Sequence, residues 1–131
     1  MTEMHAGETT VRDVSSPYES DPGLREIIVQ FVANLDDEVP KLTGSLVRRD
    51  FAEFVRLTHR LRGSAKVLGF DTLGNVFGSL EDLAREAISG VAGGGARDTH
   101  DPRERDALLS AGLQRCEALF LALKIRFSKE S

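Results

Sequence analysis

The chain is 131 residues long, 40% hydrophobic, and carries a formal net charge of -4. That length supports one domain with a single core, and no run approaches the roughly twenty apolar residues that a membrane span needs. The acidic balance disfavours general nucleic-acid binding, and a single cysteine, Cys116, excludes an intramolecular disulfide and argues against a thiolate metal site.

The first twenty residues, MTEMHAGETTVRDVSSPYES, are polar and end in turn formers. They are expected to form a flexible arm over 1–20 that adds little to a core, with His5 in it and no obvious partner nearby. The chain shows no basic and apolar leader of the secretory kind, so a cytoplasmic location is expected.

A helical stripe follows over 24–48, where Leu24, Ile27, Ile28, Phe31, Leu35, Val39, Leu42 and Leu46 recur at spacings of three and four. Asp21 is its candidate cap, with Pro22 at the first helical position. Pro40 falls inside the pattern, but the stripe keeps its phase through it. A kink near Pro40 is therefore expected rather than a break.

A second helix is predicted from about Asp50 to Leu68. Asp50 and Glu53 make a capping-box pattern, and Gly69 is a natural stop. A third runs from about Asp71 to Ile88, with Leu73, Val76, Phe77, Leu80, Leu83, Ala84 and Ala87 inward. Residues 89–102, SGVAGGGARDTHDP, read as a flexible Gly-rich loop, and His100 within it reads as a solvated loop residue. The last helix is expected from about Pro102 to Phe127, with Leu109, Leu113, Cys116, Phe120, Leu123 and Phe127 as its stripe; Cys116 reads as a small buried hydrophobe. Four amphipathic helices and no strand candidate make an all-α fold, an antiparallel up-and-down four-helix bundle over 21–128. No second apolar stripe demands a dimer, so a monomer is expected.

The stretch THRLRGSAKVLG, residues 58–69, carries the chemistry. At about 100° per residue, Phe54, Leu57, Leu61, Ala65 and Leu68 form the buried row of the second helix. His59 falls nearly opposite that row, together with Arg56, Gly63 and Lys66, while Arg60 and Arg62 flank on either side. His59 is thus not a packed core histidine. Gly63, one turn on, costs about 1 kcal/mol relative to alanine in mid-helix and clears space beside the ring. From Lys41 to Lys66 there are seven Lys or Arg residues against Asp50 and Glu53, a local balance of +5. This suggests an acidic or phosphorylated partner.

An exposed imidazole has a nucleophilic nitrogen at neutral pH. Were it to accept a phosphoryl group, Arg62 and Lys66, with Arg56 from the other side, could bind the new oxygens by charge-assisted hydrogen bonds. A metal site fits worse, because cations surround His59 and no acid or second histidine is expected on its face. Acid–base hydrolysis lacks a paired carboxylate.

These residues resemble the histidine-containing phosphotransfer (HPt) domain, whose pattern reads roughly His-x-Leu-Lys-Gly-Ser/Ala-Ala/Ser-x-x-x-Gly. The chain has His59, Leu61, Arg62, Gly63, Ser64, Ala65 and Gly69 there, and the resemblance covers about 24–90. It is carried also by LGNVFGSLEDLAREA, residues 73–87, and by the approach to the histidine over 37–63. The resemblance implies that His59 takes a phosphoryl group from the phospho-aspartate of a response-regulator receiver and passes it to another receiver aspartate. Arg62 stands where the family's lysine holds phosphoryl oxygens, and Gly63 where its glycine leaves room for docking. The departures are this arginine for lysine, with Lys66 available to share its work, and a Gly-rich loop longer than the family needs.

By the same resemblance the chain needs no cofactor of its own, since Mg2+ sits in the partner receiver. Receiver domains are the expected partners, with a hybrid sensor histidine kinase as a candidate, and nucleic acid and membrane are not expected. No nucleotide-binding Gly-rich loop of the G-x-x-x-x-G-K-[ST] kind is present, which fits a phosphotransfer protein rather than an ATP-dependent kinase. Two other readings stay open: a non-catalytic adaptor or inhibitor that docks receiver or kinase domains without turnover, and a helical adaptor that offers the +5 segment to nucleic acid.

Overall fold

The computed structural model describes residues 9–93 and 100–127. A short 3-10 turn, Val11–Val14, precedes four α-helices: α1 (Pro22–Val47), α2 (Phe51–Val67), α3 (Asp71–Gly93) and α4 (Pro102–Arg126). Each helix packs on its neighbours in the ring α1–α2–α3–α4–α1, and among the described residues neither diagonal pair brings Cα atoms within 8 Å. This is the up-and-down bundle the stripes predict, with no strand among the described residues.

The helix starts follow from local chemistry. Asp21 Oδ1 accepts hydrogen bonds from Gly23 N (3.0 Å) and Leu24 N (3.2 Å), and Pro22 opens α1 where its missing N–H costs nothing. α1 continues unbroken through Pro40. Asp50 caps α2 by accepting from Glu53 N at 3.2 Å. The capping box stays half made, because the Glu53 carboxylate turns to Arg56 instead of back to the cap. The α1–α2 turn places Arg49 in the left-handed region at φ 56. Its guanidinium is held by Asp106 of α4 at 3.3 and 3.4 Å and stacks on Phe51.

Position 69, just past the end of α2, requires glycine for two independent reasons. Its φ is +88, and a Cβ there would stand 2.7 Å from Pro17 Cδ and 2.9 Å from Ser16 Oγ. That contact corrects the expectation of a flexible arm over 1–20. Residues 1–8, His5 included, lie outside the described residues, but 9–20 pack on the bundle. Val14 is buried, Ser16 Oγ donates to the Leu68 carbonyl at 2.6 Å, Thr72 Oγ1 donates to Asp13 Oδ1 at 3.0 Å, and Arg126 pairs with Glu19. A second correction concerns α3, which runs to Gly93, so the expected loop at 89–102 begins at least five residues late. Residues 94–99 lie outside the described residues.

The core is one cluster that draws on every helix, including Ile28, Leu35, Leu42, Phe54, Leu57, Leu61, Phe70, Phe77, Leu80, Leu109 and Leu123. Cys116 lies in it, fully buried, and burial, helped by the charge of Glu117, pushes its thiol up to about 12. The stripes place most of these residues. They err at Ile27, which is exposed, and they omit Val32, Thr58, Arg105 and Leu119, which are buried. The exposed side of α4 also carries Ala107, Ala111, Ala118, Leu121 and Ile125.

Candidate functional site

The exposed ridge of α2 has a different neighbour on each flank. On the α3 flank, His59, Arg62 and Lys66 lie along the seam between the two helices. His59 stays solvent-facing, with 60% of its side chain exposed. Its Nδ1 is 3.0 Å from Oε2 of Glu81, a residue of α3 that is itself only 3% exposed. An acid therefore does reach the histidine, contrary to expectation. It comes from the next helix, where a reading of the α2 face alone does not find it.

Glu81 is the hub of the seam. Arg85, one turn on, donates two hydrogen bonds to the same Oε2 at 3.0 and 2.7 Å. Oε1 accepts no hydrogen bond, although Arg62 Nη1 stands 3.4 Å from it. Burial by itself would raise the carboxyl's pKa. The hydrogen bonds from Arg85 and His59, with the charges of Arg62 and His59, outweigh burial and hold it below the ordinary carboxylate value. Glu81 is thus an anion at neutral pH. An anionic carboxylate only accepts, so it selects the imidazole tautomer with its proton on Nδ1. The lone pair is then on Nε2.

Two glycines of α3 make the seam close. A Cβ at Gly78 would stand 3.2 Å from Arg62 Cδ, and one at Gly74 would stand 2.8 Å from the Lys66 stem. Lys66 lies over Gly74 and donates to Asn75 Oδ1 at 2.7 Å. Of the site residues expected from the sequence, the structure brings Arg62 to the carboxylate that holds His59 and directs Lys66 further along α3. Arg56 is engaged by Glu53 at 3.0 and 2.7 Å. The +5 segment is not a free cationic surface either. Lys41 and Arg60 meet Glu38, and Arg49 meets Asp106.

On the α1 flank the ridge borders an apolar groove of about 500 Å³, lined by Ile27, Phe31, Gly63, Ser64, Val67 and Leu68 among others. Gly63 lies between groove and histidine. A Cβ built on it meets nothing within 4 Å, so crowding does not explain the glycine. The exposed Ile27 and Val67 belong to this groove. The groove lies between α1 and the C-terminal half of α2.

Glu81 and Arg85 escaped the sequence reading. Their signal was an acid and a base four residues apart on α3, with the acid about 70° from the centre of the buried row at 100° per residue. A second histidine–acid contact joins His100 to Glu86 at 3.0 Å. No group of three or more His, Cys, Asp or Glu side chains among the described residues is placed to hold a metal ion. No helix is long and apolar enough to cross a membrane, among the described residues. The model of the Hpt domain family matches residues 26–119, and so runs past the stretch of resemblance read from the sequence and well into α4. No curated protein and no solved structure gives a significant match.

Proposed function

We propose, from the premise that this chain belongs to the Hpt domain family, that His59 is its phosphoacceptor and Nε2 the atom that reacts. Membership carries the coarser statement: the chain has a phosphotransfer role in a phosphorelay, and domains of this family interact with response-regulator receivers. The observation that supports the finer reading is the pairing of Glu81 with Nδ1, which leaves the other ring nitrogen free on an exposed face.

In this reading a receiver docks over the α2 ridge, with the apolar groove beside Gly63 taking part of its surface. The Nε2 lone pair attacks the phosphorus of the receiver's phospho-aspartate. The P–O bond to the aspartate breaks, and its electron pair leaves with the carboxylate. The ring passes through an imidazolium whose remaining N–H is the one held by Glu81, and that carboxylate stabilises the charge while it exists. Arg62 and Arg85, already beside Glu81, are the cations near enough to exchange part of their pairing for phosphoryl oxygens. Reversal of the same steps passes the group to a second receiver aspartate. Magnesium belongs to the receiver in this scheme, and the chain contributes no nucleotide chemistry.

The test is transfer of labelled phosphate from a phosphorylated receiver to the full chain and to His59→Gln. Label found only with His59 present, lost in acid and kept in base, supports the reading. Label retained by His59→Gln moves the acceptor elsewhere. No label on either protein from a broad panel of receivers, with binding intact, replaces transfer by docking without turnover.

A further inference from the structure

The outer face of α4 is apolar where the bundle gives it nothing to cover it. Ala107, Ala111, Gln114, Ala118, Leu121 and Ile125 follow one another at spacings of four, three, four, three and four. At about 100° per residue they fall within roughly 40° of the direction opposite the buried row Arg105, Leu109, Leu113, Cys116, Leu119 and Leu123. All six are exposed, Leu121 at 58% and Ile125 at 76%. An alternation of three and four is the pattern of a helix that meets a second helix along a seam. A helix apolar on both faces is one that is covered on both.

We propose that this face pairs with the same face of a second copy of the chain, antiparallel and about a two-fold axis, in a weak reversible dimer. The charges beside the stripe favour a second copy over another partner. Glu117 and Lys124 are seven residues apart on the same flank, and Lys124, which meets Asp36 of α1 at 3.0 Å through an exposed pair, would share that contact with the second copy's Glu117. In the antiparallel register that sets Ala118 of each copy against Leu121 of the other, Glu117 of each copy falls opposite Lys124 of the other. One surface thus supplies both signs, as a two-fold contact requires. The same register sets a small side chain against a large one and brings no like charges of the two α4 helices together. Sliding by one heptad, to align the whole stripe, would put Glu117 against its own copy. The axis lies in the contact beside α4, and α4 is diagonal to α2 in the ring. Both His59 ridges therefore face away from the contact.

The paired stretch from Gln114 to Ile125 is about 17 Å long at 1.5 Å per residue. A single helix pair of that length is a small contact, short of the ~1,200 Å² at which stable complexes begin. The dimer is therefore expected to be weak and to form only at high protein concentration.

Sedimentation equilibrium of the full chain from about 10 µM to about 1 mM tests this. The mass should rise from 14.3 kDa toward twice that value. Leu121→Glu, at an exposed position and checked for its fold by circular dichroism, should stay monomeric while its phosphotransfer is unchanged. Glu117→Lys and Lys124→Glu should each weaken association by about ten-fold, and the two together should restore it to within about three-fold. A monomer at the highest concentration overturns the proposal. So does a dimer indifferent to Leu121→Glu, or a charge swap that fails to restore association.

Discussion

Two glutamate–histidine pairs hang from α3, and their contrast bears on the proposal that one of them is a site. Glu81 meets His59 at 3.0 Å, and Glu86 meets His100 at 3.0 Å. In both cases Nδ1 is the nitrogen engaged. Both carboxyls lie below their ordinary value of 4.5, because hydrogen bonds and nearby cations outweigh burial, which acts to raise them. Beyond the pair the surroundings diverge. Glu86 also accepts the backbone N–H of His100 at 3.1 Å, and Arg105 stands 3.9 Å away. That carboxylate fastens the start of α4 to α3, and the His100 side chain is only 34% exposed. His59 is bound through its ring alone, lies on a ridge, and has beside it a glycine that nothing crowds. The carboxylate sets the tautomer in both pairs. In the proposed function, greater exposure of the ring is what separates the nucleophile His59 from the fastener His100.

Exchanging the histidines is the most severe way to break that contrast. His59→Gln should lower phosphoryl acceptance by at least about a hundred-fold, whereas His100→Gln should leave it within about two-fold. Loss of acceptance in His100→Gln, in a protein of unchanged fold, would make the two pairs equivalent. Exchanging the acids comes next. Glu81→Gln should slow transfer by about ten-fold, through a weaker hold on the Nδ1 proton, while Glu86→Gln should cost about 1 kcal/mol of stability and no transfer rate. Stopped-flow transfer and urea unfolding separate the two outcomes.

The same carboxyls set a pH dependence. Each is lowered in the folded state, so each contributes stability above 4.5 that is lost as pH falls through its lower folded value. Urea unfolding at pH 6 and pH 3 should show a stability gap between the native chain and Glu81→Gln at the higher pH and a smaller one at the lower. A gap that grows in acid would reverse the assigned sign. The smallest effect is expected at Gly63. Gly63→Ala should stabilise the fold by about 1 kcal/mol, since a methyl there meets no neighbour, and slow transfer a few-fold by narrowing the approach. A stabilised variant with an unchanged rate would remove Gly63 from the docking argument.

Much of this was legible in the sequence, for identifiable reasons. Leu35, Val39, Leu42, Phe54, Leu61, Phe77 and Leu109 lie where periodicity puts them, because an amphipathic helix buries the centre of its stripe whatever its neighbours. The edges are set by neighbours, and there the reading slipped. Ile27 stands at the edge of the α1 stripe and faces a groove instead of a helix, while Thr58 is buried with its hydroxyl satisfied by the Phe54 carbonyl at 2.9 Å. His59 was legible as an exposed residue because exposure belongs to one helix. Glu81 was not, because its meeting with His59 depends on how α2 and α3 pack. Residues 9–20 look like a tail by composition, yet one valine and a few side-chain hydrogen bonds fasten them. α3 ran past its expected end because neither Ser89 nor Gly90 stops it.

Cys116 gives the molecule a built-in clock for its own opening. The only thiol in the chain sits at zero exposure among core leucines, with its ionisation suppressed by burial. A thiol reagent can reach it only when α4 lifts from the other helices, so the labelling rate counts core openings. Changes confined to the α2 ridge should leave that rate untouched. A phosphorylated chain that labels more slowly than the free chain would show that the group on the ridge is felt in the interior.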